Sequence, residues 1–250
     1  LSKLASGGES HLGRLHALYV LAGLDQLKPD HLLTALRDEH PVLREHALKL
    51  AETFLAQNGK KSRLAEAVLS LGPDESPRVR FQLGLTLGVV ELTGEVPVLL
   101  DVQSTSANDS WIRFAVLNAL STQVNELFSH YADSVPPTDK GEVVALANGL
   151  RKGGNSLSRL QGDARKYLQR VTMTLGEDAD RSAALRLQAI GLLATLDKKA
   201  AHQPLLAFLD TNEASLRDGA VRELVSLQPE GLAVDLLAHW KVFSPSSRDQ

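Results

Sequence analysis

Apolar residues return at helical spacing in a phrase that the chain uses again and again. In DEHPVLREHALKLAE, residues 38–52, an acidic, proline-containing turn is followed by Arg44 and by Leu43, Ala47, Leu48, Leu50 and Ala51. Pro41 suits the first turn of a helix, where its missing N–H costs nothing and its φ is already helical. The phrase recurs as ESPRVRFQLGLTL around Arg80, NDSWIRFAVLNAL around Arg113, SAALRLQAIGLL around Arg186 and NEASLRDGAVREL around Arg217. A partial copy, GRLHALYVL, surrounds Arg14. The first four arginines lie 30, 36 and 33 residues apart, Arg186 follows after 73 more, and Arg217 after another 31. Periods of this size mean pairs of helices laid side by side, each burying its apolar face only against its neighbours. The expected fold is all-α: a right-handed α-solenoid of stacked antiparallel helix pairs.

The same pattern places the elements. Residues 12–24 read as a second helix whose first helix is largely cut away. Lys28–Arg37 pairs with Pro41–Ala56, Lys60–Leu71 with Pro77–Val90, and Glu95–Gln103 with Asp109–Leu120, where Asp109 or Ser110 would serve as N-cap. From Gln123 to Asp180 the pattern loosens around SVPPTDKGE and RKGGNS, leaving helices near Lys140–Arg151 and Gly162–Leu175. This stretch is expected to be one enlarged, irregular repeat with a long inter-helix loop. Arg181–Leu196, Ala200–Leu209, Ala214–Leu227 and Gly231–Trp240 resume the regular series. The reading is one array over residues 1–250, regular over 1–122 and 181–250 and irregular over 123–180. The final SPSSRDQ superposes on HPVLREH and SPRVRFQ, and residue 1 is not methionine, so truncation at both ends is expected. An uncapped solenoid end would leave Trp240 exposed.

Composition narrows the function more than the fold. A net charge of −3 with interspersed signs gives no strong field and argues against a dedicated nucleic-acid binder. No run of about 18 apolar residues exists, so no membrane span is expected. Cysteine is absent, which removes disulfides, thiolate metal sites, a cysteine nucleophile and covalent haem attachment from this stretch. With aromatics at only 4%, the interior must be leucine, alanine and valine, side chains that let helices approach closely.

The recurring arginine is the strongest candidate for a role. Asp38 precedes Arg44, Asp74 precedes Arg80, Asp109 precedes Arg113 and Asp210 precedes Arg217. Recurrence in every repeat favours a structural ladder of Arg14, Arg44, Arg80, Arg113, Arg186 and Arg217, each bridging the carboxylate or carbonyls of a neighbouring turn. The alternative is a row of anion-binding groups in a groove. His16 and His46 hold equivalent places, and with His11 and His40 nearby a metal site is conceivable, but no carboxylate stands at ligand spacing and none is assigned. A basic run, Arg151, Lys152, Arg159, Arg165, Lys166 and Arg170, would suit an acidic partner or a phosphate backbone, or is a solvated face on the irregular repeat. Polar positions beside the arginines, His46, Lys49, Gln82 and Asn118, are the other candidates for partner contact, with Arg151, Lys152, Arg165 and Lys166. There is no GxSxG, no phosphate loop after a strand and no separated carboxylate pair, so no catalytic, cofactor or metal residue is assigned.

LRDEHPVLREHALKLAE and ESPRVRFQLGLTLG resemble HEAT-type repeats, over most of the chain except 123–180. That resemblance implies a non-catalytic scaffold binding protein partners, or neighbouring domains of its own chain, and a monomer in this form. More narrowly, RLHALYVLAGLDQLKPDHLLTALRDEHPVLREHALKLAE is similar to HEAT-like segments of large secreted planctomycete-type proteins. Those join the array to a sugar-dehydrogenase-like β-propeller and a c-type cytochrome domain. An extracytoplasmic setting and a linking role follow from the similarity, with any haem carried by the parent, since no CxxCH stands here. The alternative is a helical-repeat enzyme acting on alkylated DNA bases or bilins, which this chain resembles in outline only.

Overall fold

The computed structural model describes residues 1–58, 62–133, 139–154, 156–240 and 243. Among them the chain is all-α, with fifteen α-helices and no strand. It forms two compact units, Leu1–Gln123 and Val124–Gln250.

The first unit holds α1 (Ser2–Gly7), α2 (His11–Gly23), α3 (Pro29–Ala35), α4 (Pro41–Asn58), α5 (Arg63–Leu69), α6 (Pro77–Val89), α7 (Glu95–Thr105) and α8 (Ser110–Leu120). Prolines open α3, α4 and α6, where no intrahelical N–H is lost. Serine or aspartate side chains cap α2, α5 and α8 by accepting backbone N–H groups. The longer helix of each pair packs on the next of its kind, α2 on α4, α4 on α6 and α6 on α8, while α1 packs on α3 and α3 on α5. Leu18, Leu32, Leu43, Leu48, Leu83, Leu99 and Ile112 are fully buried between them. Small residues set the closest approach. A Cβ on Gly84 of α6 would stand 3.0 Å from the Ala115 Cβ on α8. The short helix α1, unanticipated from its sequence, pairs with α2.

The second unit holds α9 (Val124–Asp133), α10 (Lys140–Lys152), a 3-10 turn (Ser156–Arg159), α11 (Gly162–Glu177), α12 (Ala183–Leu196), α13 (Lys198–Leu209), α14 (Ala214–Leu227) and α15 (Leu232–Ala238). Here too alternate helices meet: α9 with α11, α10 with α12, α11 with α13 and α12 with α14. Ile190, Leu193, Leu205, Leu209, Leu216 and Leu224 form the core of the last three long helices. The helix α9 falls in the stretch whose pattern looked loose, yet Val124, Leu127 and Phe128 are buried along one face of it. Most of the expected inter-helix loop (residues 134–138) and the terminal SPSSRDQ (244–250) lie outside the described residues. No described helix is long and apolar enough to cross a membrane. Trp240 is 45% exposed, its ring edge-on to Phe243.

Candidate functional site

The arginine row has a definite geometry in the first unit. Each arginine sits in the first turn or so of the longer helix, where the backward tilt of the side chain returns it to the preceding turn. There Nη1 donates to two carbonyl oxygens, Gly8 and Glu9 for Arg14, Asp38 and Glu39 for Arg44, Asp74 and Glu75 for Arg80. The other edge of the fork reaches into the next repeat. Arg14 donates through Nε and Nη2 to the two carboxylate oxygens of Asp38, at 2.8 Å each. Arg44 does the same to Asp74, at 2.6 and 2.9 Å. One aspartate therefore serves twice, its carbonyl holding its own arginine and its carboxylate the preceding one. Both carboxylates also accept a backbone N–H, from His40 and Ser76. Hydrogen bonding to these carboxylates, against the opposing effect of burial, holds the Arg14 and Arg44 guanidinium groups above their ordinary pKa. Planar, bidentate pairing at low exposure ties consecutive pairs together.

Beyond Arg44 the row changes. Arg80 donates through Nε to the Ser106 hydroxyl at 2.9 Å, so a serine stands where an aspartate did. Arg113 is exposed, with no partner among the described residues. Asp109 is no ladder acid. Its carboxylate caps α8, accepting the N–H groups of Trp111 and Ile112 at 2.9 and 3.1 Å. In the second unit Arg186 donates to the Gly176 carbonyl at 3.1 Å, lies over the Phe208 ring at 5.0 Å, and has Glu213 only at 4.0 Å. Arg217 donates to the Thr211 carbonyl at 2.7 Å, while its Nε is buried without an acceptor among the described residues. Asp210 instead meets His239 Nε2 at 3.1 Å. Spacing accounts for Asp109. Asp38 and Asp74 stand six residues before Arg44 and Arg80, whereas Asp109 stands four before Arg113 and falls on the N-cap. Asp210 stands seven before Arg217, as Ser106 does before Arg113, but turns to His239.

The proposed partner contacts divide in the same way. The His46 Nδ1 is 2.7 Å from the Tyr19 hydroxyl, and burial, then Lys49, pushes its imidazole below the ordinary value. Lys49 is paired with Glu45 at 2.9 Å, and Arg78 reaches the same carboxylate at 2.9 Å. Burial would raise the Glu45 carboxyl, but these two cations outweigh it and hold it low. Gln82 is removed from the surface. It is 6% exposed, and its amide donates to Thr86 at 3.1 Å and Glu52 at 3.4 Å, because α6 turns that position into the α4 contact. Asn118 is exposed on α8. Of the basic run, Arg165 is tied to the carbonyls of Leu160 and Leu196, and Lys166 pairs with Asp163 on an open face. Lys152 is exposed, and Arg151 has a buried Nε without an acceptor among the described residues.

The histidines do not converge as their repeat positions suggested. His11 and His40 stack at 3.8 Å, His46 faces Tyr19, and His16 is exposed. Among the described residues no three metal-ligating side chains come together. Sequence reading missed Ser106, the Glu52–Gln82–Thr86 network, and an exposed pair, Trp111 and Phe114, at 71% and 62%. The aromatic pair was detectable, since a helix with its core face already supplied by Ile112, Ala115 and Val116 leaves positions 111 and 114 outside. No protein-family model matches this chain, and no curated protein matches it.

Proposed function

We propose that this chain is a non-catalytic, HEAT-type scaffold, its helix pairs antiparallel and wound as a right-handed solenoid, that holds a protein partner or neighbouring domains along its longer helices. The observation that carries this reading is the bidentate Arg–Asp pairing from one repeat to the next. It supports the reading because it rigidifies a succession of helix pairs and offers a continuous surface without requiring a pocket. The exposed Asn118, Trp111 and Phe114, with Lys49 half-exposed, are the contact positions on that surface. The form of the role in which the array links redox domains is carried by the sequence resemblance.

The test is photocrosslinking in the native host, with a crosslinking residue at position 114 or 118, on the longer helix α8, and at Asp101 on α7 as the control. Crosslinks to a defined protein or domain at 114 and 118, weakened by Lys49→Glu, are expected. Equal yields at all three positions, or indifference to Lys49→Glu, would overturn the assignment.

A further inference from the structure

The row contains its own reference for what a carboxylate does here. At Arg14 and Arg44, Nε and Nη2 grip both oxygens of an aspartate. At Arg80 the same frame persists, with Nη1 on the carbonyls of Asp74 and Glu75 at 2.6 and 3.1 Å. The acceptor, however, is the single hydroxyl of Ser106, itself 6% exposed. One hydroxyl satisfies Nε and leaves Nη2, which the two upstream arginines use for the second oxygen, without an acceptor among the described residues. Arg80 instead lines a cleft of about 560 Å³ together with Ser104, Thr105, Ser106, Asn108 and Ser110. Ser104 and Thr105 commit their hydroxyl protons to the α7 carbonyls of Asp101 and Val102, which leaves the Ser106 hydroxyl proton, Asn108 and Ser110 as donors beside an arginine whose fork is half filled. Asp109 also lines the cleft, with one oxygen already capping α8, so the site suits a single negative charge rather than a phosphate dianion.

We infer that the Arg80 cleft is a binding site for a carboxylate supplied from outside the repeat, taking the place that an aspartate fills at Arg14 and Arg44. The carboxylate is either a free small acid or an aspartate or glutamate side chain of a peptide. The site needs neither the solenoid hand nor the scaffold role, and its test reads Arg80 alone.

The experiment follows the arginine side-chain N–H resonances of the 15N-labelled chain by NMR. Titrants are sodium acetate, an acetylated and amidated leucine–aspartate–leucine tripeptide, and its asparagine counterpart. A saturable shift of the Arg80 Nε–H with the aspartate peptide, absent with asparagine, is expected. Arg113, exposed and unpaired among the described residues, reports the non-specific effect of salt. Acetate saturating as tightly as the peptide marks a free acid as the ligand; a tenfold tighter peptide marks a protein side chain. Ser106→Asp supplies the carboxylate internally, and should abolish the shift and raise Tm by about 2–4 °C. Arg80→Lys keeps the charge but loses the fork; with binding read from the backbone N–H of Ser106, which lines the same cleft, it should weaken binding about tenfold with unchanged helicity. Equal shifts from the asparagine peptide, a matching shift at Arg113, no saturable shift at all, or full binding in either folded variant would each refute the site.

Discussion

Two of the four row arginines in the first unit grip an aspartate with both arms of the fork, and neither of the two in the second unit does. Arg14 and Arg44 make two-point contacts to Asp38 and Asp74, with side chains at most 16% exposed. Arg186 and Arg217 occupy the equivalent places but rely on single carbonyls and, for Arg186, an aromatic ring. Both units nevertheless pack alternate helices against each other. The difference teaches that apolar burial is enough to build a stack, and that the ladder is an additional tie which one unit has and the other lacks.

The sharpest way to break the comparison is to remove one acid from each unit. Asp74→Ala leaves the Arg44 fork unpaired beside buried surface and should cost about 3 kcal/mol in urea unfolding. Asp210→Ala touches only a pair with His239 in which the aspartate is 73% exposed, and should cost under about 0.5 kcal/mol. Hydrogen exchange should place the first loss in residues 1–123; a comparable loss from both substitutions would erase the distinction.

Close packing gives the next effect and reverses the ranking of the units. A methyl on Gly176 would fall inside the buried Ile190 side chain, so Gly176→Ala should destabilise the second unit by about 2 kcal/mol. Gly84→Ala meets the Ala115 Cβ at 3.0 Å and the α8 backbone at 3.3 and 3.4 Å, so α6 and α8 must part by a few tenths of an ångström, while alanine favours the helix by about 1 kcal/mol. Its net effect should lie within about 1 kcal/mol of zero. Thermal unfolding of the two variants checks both signs.

Two titrations sharpen the contrast further. Burial, then the charge of Glu142, pushes the Tyr131 hydroxyl of the second unit up to about 12, while burial also raises Tyr19 of the first unit, with Lys49 opposing it. The neutral phenol is favoured in the fold, so Tyr131 contributes stability below pH 10 and loses it as pH rises towards 12. Tyrosinate absorbance of Tyr131→Phe should lack the latest-titrating component; an unchanged curve would contradict the burial. The smallest effect belongs to His46. Its depressed value favours the neutral ring in the fold, so it contributes stability above pH 6.5 that is lost as pH falls through its lower folded value. His46→Gln should therefore flatten the stability of the first unit on the acid side of pH 6.5, read by urea midpoints across pH 5–7.

Much of the fold was legible because helical periodicity and caps are local. Pro41, Pro77 and Asp109 mark helix starts by their own backbone chemistry. The helix α9 was overlooked because a ten-residue element offers few turns of pattern and is flanked by turn-like sequence, though Val124, Leu127 and Phe128 carry the spacing. The ladder was half legible. Which arginines recur is a matter of counting, but which acid each meets depends on whether the turn presents it six residues ahead or elsewhere.

Residue order alone determined that this chain would be helical, that an arginine would recur near the start of six of its helices, and that leucine and alanine would fill the interior. Those properties follow from spacing within a few turns. Only the tertiary structure decided that Asp38 and Asp74 pair backwards with the preceding arginine, that Gln82 is buried and Asn118 is not, and that Arg80 opens onto a cleft. Each of these depends on where a second helix lies across the first, a distance no local pattern encodes.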